Sequence, residues 1–205
     1  MNLDQFSSDV LNAFEGICYV TDPDGDIVSI GPDNWTEFAI SNDAGSLMPD
    51  RLIGRNYLDF VQDDAVKEHF NECLSALAKS DFDEWVQPYR CDAPAVKREM
   101  RLSIKSIDED SVVLGYLFQS IQLSAINRPP LDIFDFPALN ILINSERDLS
   151  IVKMCSFCQN VSSEEYTSGE WKDAEKYYRA GGHSNVRLSH GICDSCTNMA
   201  STKVS

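Results

Sequence analysis

The residues best suited to chemistry lie in the last quarter of the chain. Cys155-Ser-Phe-Cys158 and Cys193-Asp-Ser-Cys196 are two CxxC pairs, and 34 residues separate Cys158 from Cys193. Two intervening residues let both thiolates of a pair face one ion from a tight turn. Two such turns supply the four soft ligands of a closed tetrahedral site. Cys155, Cys158, Cys193 and Cys196 are therefore read as metal ligands. Zinc in a structural role is expected, and an iron centre of rubredoxin type is chemically possible with the same sulfurs. Four thiolates leave no open position for water, which argues against hydrolysis. His190 precedes the second pair. It could replace one cysteine, but two complete pairs already satisfy four-coordination, so a hydrogen bond to a thiolate is the simpler role.

Other chemistry is excluded motif by motif. The chain has no Gly-rich phosphate loop, no His-Glu-x-x-His and no Gly-x-Ser-x-Gly. The His-x-Glu and Pro-Cys-x-x-Cys halves of a zinc deaminase are both missing. A non-enzymatic protein is expected. The net charge of −16 is uneven: residues 1–150 hold 27 of the 33 acidic and 11 of the 17 basic residues. So acidic a body repels phosphate backbones and anionic lipid, and the cysteine segment has no basic excess, so neither nucleic acid nor a membrane is an expected partner. The start, Met1-Asn-Leu-Asp-Gln-Phe6, lacks the basic and apolar regions of a signal peptide. Seven cysteines, four of them at metal spacing, suit a reducing cytoplasm better than a disulfide framework.

The elements that must position these groups follow from periodicity. Leu3, Phe6, Val10, Leu11 and Phe14 predict a short amphipathic helix ending near Gly16. Ile17–Thr21 and Ile27–Ile30 are predicted strands around the turn Asp22-Pro-Asp-Gly-Asp26. Asn34–Ile40 is a predicted short helix. Asp64–Lys79 is a longer one, with Val66, Phe70, Cys73, Leu74 and Leu77 as its stripe. Three strands follow: Trp85–Tyr89, where Pro88 argues for an edge or a bulge, then Met100–Ser106, then Ser111–Ile121. Two strands, several helices and three strands predict an α+β fold, an antiparallel sheet with helices on one face.

Tyr19-Val-Thr-Asp-Pro-Asp-Gly25, Asn34-Trp-Thr-Glu-Phe-Ala39, Ile53-Gly-Arg-Asn-Tyr-Leu58 and the hairpin Arg98–Gln119, in this order, resemble a PAS domain. The resemblance implies a five-stranded antiparallel sheet over residues 1–122, with a pocket between sheet and helices used for sensing or partner binding. With the arm at Arg128-Pro-Pro130 and the cysteine motif through Ser189-His-Gly-Ile-Cys193, the whole is similar to bacterial sensory PAS proteins with a C-terminal cysteine module. That implies signal transduction and names no ligand.

The expected organisation is a PAS-like domain (1–122), a connecting arm (123–150) and a four-cysteine zinc module (151–205). In the arm, Ile133, Phe134, Phe136, Leu139, Leu142 and Ile143 are too apolar for a free linker. It is expected to pack on the sheet or the module, or else to serve as a dimer contact or docking strip. Within the module, Glu170-Trp171 is expected to open a helix with Trp171, Ala174 and Tyr178 on one face.

The expected partners are another protein or a second copy, with a small molecule in the PAS pocket. Two alternatives stay open. The four-cysteine site could itself be a redox or metal switch, and His69 on the long helix could hold haem, as in some PAS sensors. Tyr57 stands where the flavin-binding PAS subgroup needs cysteine, so flavin photochemistry is not expected. Cys18 and Cys73 are read as core, and Cys91 as a thiol that could be exposed and reactive.

Overall fold

The computed structural model describes residues 3–42, 44–61, 63–143 and 148–200. These divide into two compact units. One is drawn from residues 3–87 and 101–122, the other from 88–100 and 123–200.

In the first unit the amphipathic start is a 3-10 turn, Leu3–Gln5, followed by helix α1 (Ser8–Asn12). Periodicity predicts one continuous helix here. Ser7 interrupts it, because its extended backbone and its hydroxyl, which accepts the Val10 N–H, make it an N-cap. Strands β1 (Ile17–Thr21) and β2 (Ile27–Ile30) pair antiparallel. In their turn the Asp22 carboxylate accepts the N–H groups of Asp24 and Asp26. Gly25 has φ +92°, and a Cβ there would lie 2.8 Å from the Tyr57 ring, so both backbone and space demand glycine.

Helix α2 (Pro32–Ser41) starts with Pro in its first turn. Helix α3 (Asp64–Ala78) is capped by the Asp63 side chain on Val66 N–H and buries Val66, Cys73, Leu74 and Leu77. Strand β3 (Trp85–Arg90) is followed by β4 (Val96–Glu109) and β5 (Val112–Asn127). Asp110 and Ser111 both have left-handed φ, as a tight two-residue hairpin turn requires.

The sheet order is β2-β1-β5-β4-β3, an antiparallel five-stranded sheet with helices, as the sequence leads one to expect. Strand β3 is at its edge, where Pro88 costs no ladder hydrogen bond on the open side. On one face Ile27, Tyr57, Leu77, Trp85, Ile104 and Phe118 are buried together. Full burial of each such side chain stabilises by about 1.5–3 kcal/mol. On the reverse face Leu11 of α1 meets Cys18, Val20 and Ile107. His69 packs its ring 5.5 Å from that of Trp85, with Nε2 3.8 Å from the Cys73 sulfur.

The second unit contains α4 (Phe136–Ile143), β6 (Ile151–Cys155), β7 (Val161–Ser162), α5 (Glu164–Thr167), α6 (Ala174–Arg179), β8 (Arg187–Gly191) and α7 (Asp194–Ala200). Its sheet runs β7-β6-β8, with β6 antiparallel to β7 and parallel to β8. Ile133 and Phe134 of the arm are buried in one cluster with Val152, Met154, Val161 and Tyr177. The arm thus packs on the cysteine-bearing module. Leu142 and Ile143 have side chains outside the described set.

The helix expected from Glu170-Trp171 begins later, at Ala174. Asp173 is its N-cap, accepting the Glu175 N–H, and Trp171 is half-buried before it. Its buried face is Ala174 and Tyr177. Gly182 lies flat against the Tyr177 ring, where a Cβ would approach to 2.4 Å.

A polar network ties this unit together. The Asp92 carboxylate, with 0% of its side chain exposed, accepts from the Arg90 guanidinium, the Arg98 N–H (3.1 Å) and Arg128 Nη1 (2.9 Å). Arg90 also reaches Asp173 (3.2 Å), and Arg128 reaches Glu175 (3.0 Å) while stacking on Phe134. Two cap-region acids of α6 are thereby joined to the β3–β4 connection and to the arm. Among the described residues no helix is long and apolar enough to cross a membrane.

This packing sets the expected behaviour of two variants. Asp92→Ala leaves two nearly buried guanidinium groups without their shared anion, so it destabilises the second unit by about 3–5 kcal/mol, read as a loss of urea midpoint. Burial lowers the pKa of His69 from its ordinary 6.5, against an opposing pull from Glu72. As pH falls below 6.5 the unfolded chain gains a proton before the folded one does, so stability drops with falling pH. His69→Gln removes that component, and the wild-type minus variant difference in urea midpoint shrinks as the pH is lowered from about 7.

Candidate metal centre

The two cysteine loops meet because β6 and β8 run parallel and end at the same edge of their sheet. Their register pairs Ile151 with Arg187 through Cys155 with Gly191. Cys155 is the last residue of β6, and Cys193 follows β8 by two residues. A parallel pair needs a crossover connection, and residues 156–186 supply it with β7, α5 and α6. The long spacer between the CxxC pairs is therefore a geometric requirement of the parallel pairing.

Each loop is a tight turn. In the first, Cys155 N–H donates to Asn160 O (2.8 Å) and Gln159 N–H to Cys155 O (2.9 Å), with Gln159 in the left-handed region at φ +55°. In the second, Cys196 N–H and Thr197 N–H both donate to Cys193 O, opening α7. Ser156 N–H to Gly191 O (2.8 Å) fastens one loop to the other.

The four sulfurs lie within 4.8 Å of one another, and Cys158 Sγ is 3.6 Å from Cys193 Sγ. A tetrahedron with bonds of about 2.3 Å has edges of about 3.8 Å, so the donor set fits one zinc-sized ion. Cys193 N–H also points at Cys155 Sγ (3.4 Å), the kind of donor that stabilises a thiolate. Cys155, Cys193 and Cys196 are buried, and Cys158 is half-buried.

Shared hydrogen bonds split the thiols. Cys155 is held far below the ordinary thiol range, first by the Cys158 and Cys196 thiols and then by backbone N–H groups. The Cys158 thiol, donating to Cys155, is pushed up to about 12, and Cys196 is raised further by the same two neighbours. Four sulfurs this close cannot all ionise beside one another, and a divalent cation resolves the conflict by neutralising them.

His190 is not in this group. It is exposed on β8, opposite Met154 in the register. Cys18 and Cys73 are buried in the first unit, and burial pushes their thiols up to about 11 and about 12. Cys91 is half-buried, and burial raises its thiol against the opposing pull of Arg98. An exposed, reactive Cys91 is thus not what the fold provides.

Residues that spacing does not reveal seat the first loop. Arg90 N–H donates to Phe157 O (2.7 Å), and Asp92 N–H donates to the Gln159 carboxamide (2.9 Å). The turn carrying Cys158 therefore rests on the β3–β4 connection, 67 positions earlier in the chain. The signal for this in the sequence is faint: a glutamine just past the CxxC pair and a lone aspartate between two apolar stretches.

No family model matches the chain, and no curated protein does. Among solved structures it is similar to the PAS domain of Bordetella pertussis BvgS, with 13% identity, 69% of this chain and 96% of that one covered, and a TM-score of 0.44. It is also similar to a domain of an HTR-like protein from Haloarcula marismortui ATCC 43049, at 17% identity over 53% of this chain and 97% of that one, TM-score 0.32. A sensory box sensor histidine kinase from Vibrio cholerae is matched at 9% identity over 57% and 88%, TM-score 0.36. With every one of these TM-scores below 0.5, the fold assignment stands on the strand order and register of the chain itself.

Proposed function

We propose that this chain is a non-enzymatic, cytoplasmic signal-transduction protein of PAS type, in which a structural zinc centre on Cys155, Cys158, Cys193 and Cys196 builds an output or docking module. The observation that carries the reading is the convergence of four sulfurs from two separate turns within 4.8 Å. The ion would neutralise the thiolates and cross-link the ends of β6 and β8. In so small a unit it contributes much of the folding free energy. The chain's own residues orient the donors: Cys193 N–H at Cys155, Gly191 O holding Ser156, and Gln159 holding the turn of Cys158. With four protein sulfurs in place no position is left for substrate, which supports structure over catalysis.

A sensing role for the first unit is supported by its aromatic interior. Among the described residues Tyr57 Oη and Trp85 Nε1 are buried with no hydrogen-bond partner, and both rings pack on Phe70, with centroids 5.9 and 5.8 Å away. Buried polar atoms of this kind are uncommon and suit a small ligand with polar groups. His69 is packed on Trp85 beside Cys73, which favours a packing role over haem ligation. The output is binding to another protein or to a second copy. A redox switch at the same centre is the second reading, favoured by one feature: Cys158 is the half-exposed member of an otherwise buried set.

Elemental analysis of the purified chain is expected to give one zinc per molecule, in a colourless protein without a Soret or flavin band. Cys155→Ser, Cys158→Ser, Cys193→Ser and Cys196→Ser each lose the metal and the cooperative unfolding of the second unit. A variant of the four that keeps metal and gains hydrolytic activity would overturn the structural assignment. Gln159→Ala keeps all four sulfurs but frees the first turn, and a chelator competition reads the expected drop of roughly 10–100-fold in zinc affinity, the size seen for supporting residues of metal ligands. Substoichiometric hydroperoxide separates the two readings: zinc released stepwise favours the switch, and zinc retained favours the scaffold.

A further inference from the structure

We propose that Cys158 is the thiol of this chain that hydroperoxides and soft electrophiles attack first, and that its oxidised sulfur closes onto Cys193. The proposal rests on the switch reading of the sulfur centre and takes it further by naming the sulfur attacked and the bond formed. Access sets the first half. Of the seven cysteines, Cys18, Cys73, Cys155, Cys193 and Cys196 are buried, and only Cys158 and Cys91 are half-buried. Burial raises the Cys91 thiol above its ordinary range, so less of it is the reactive thiolate. Cys158 instead belongs to four sulfurs within 4.8 Å of one another, which a bound divalent ion keeps as thiolates. Of that set it alone has a path to solvent, since the other three are no more than 2% exposed.

Contact sets the second half. Cys158 Sγ stands 3.6 Å from Cys193 Sγ, a sulfur carried by the other loop. A disulfide spans about 2.05 Å, which leaves a gap of roughly 1.5 Å to close. The two loops are already fastened by the Ser156 N–H on Gly191 O (2.8 Å). The turn of Cys158 is seated by Arg90 N–H on Phe157 O and Asp92 N–H on Gln159. Cys155 also neighbours Cys158, but its sulfur faces the Cys193 N–H (3.4 Å). A sulfur engaged as a hydrogen-bond acceptor is the poorer nucleophile.

The oxidant is a hydroperoxide, and the chemistry balances in two steps. The Cys158 sulfur attacks the distal peroxide oxygen and the O–O bond breaks. The remaining oxygen takes up a proton and leaves as water or alcohol, and the sulfur, oxidised by two electrons, becomes a sulfenic acid. The Cys193 sulfur then attacks the Cys158 sulfur. The S–S bond forms, the S–O bond breaks, and the departing hydroxide is protonated to water. One peroxide is reduced, and two thiols become one disulfide. Cys155 and Cys196 alone remain as donors, too few for a closed tetrahedron, so the ion leaves. The new bond ties the same two loops, and the ends of β6 and β8 stay joined in both states.

The test treats the zinc-loaded full chain with less than one equivalent of hydrogen peroxide, quenches with N-ethylmaleimide and maps the digest by mass spectrometry. A chromophoric chelator follows zinc release in parallel. The peptide joining Cys158 to Cys193 is expected as the first disulfide, appearing in step with zinc release, and dithiothreitol is expected to reverse both. In a second arm without oxidant, a limiting dose of N-ethylmaleimide is expected to label Cys158 roughly tenfold or more ahead of any other cysteine. Cys91→Ala lies outside the sulfur cluster and is expected to leave both results unchanged. Zinc released with a first disulfide that joins Cys158 to Cys155, or Cys193 to Cys196, overturns the proposal and leaves the switch reading standing. Label arriving first on a cysteine other than Cys158 does the same. Zinc retained with all seven thiols still free overturns the proposal and the switch reading together.

Discussion

The parallel pairing of β6 with β8 is the constraint on which the second unit depends. Parallel strands deliver their carboxyl ends to the same edge, so Cys155 and Cys193 arrive together although 37 residues lie between them. The crossover that parallel pairing requires is long enough to build its own core. Val161, Ala174, Tyr177 and Val186 come from it and pack with Val152 and Met154 of β6. One topological choice therefore produces both the sulfur cluster and the hydrophobic layer beneath it.

A second constraint is electrostatic. The fully buried Asp92 carboxylate holds Arg90 and Arg128, which in turn reach Asp173 and Glu175. A buried ion cluster adds little net stability compared with a well-packed apolar one, but removing one member is costly because the rest are left uncompensated. Its consequence here is positional. The same Asp92 gives its N–H to Gln159, so the residue that fixes the arm also fixes the turn of Cys158. The supports of the metal loop come from a segment far earlier in the chain, and this coupling makes the candidate centre more than a pair of local turns.

Much of the architecture is legible before any coordinates. Alternating apolar residues place β1, β2 and β4. The stripe of α3 predicts its buried Val66, Cys73, Leu74 and Leu77, and Pro88 marks β3 as an edge or a bulged strand, of which the sheet order shows the edge. The four cysteines are legible from spacing alone. Less legible are element ends. Ser7 breaks the first helix by capping it, and Asp173 starts α6 later than Glu170-Trp171 suggests, since a side-chain oxygen that competes for N–H groups overrides periodicity. Cys91 reads in sequence as a thiol that could be exposed and reactive, but the fold half-buries it and burial raises its pKa.

The sequence by itself determined the local and the chemical: which stretches are strand or helix, which residue types could bind a soft metal, and that the body is acidic. Each depends on neighbours within a few residues, where period and spacing carry the information. Tertiary structure alone decided that β6 and β8 run parallel, that Asp92 and Gln159 support Cys158, and that Cys158 meets Cys193. These depend on partners tens of residues away, chosen by burial and backbone pairing, and no local pattern records which distant partner wins.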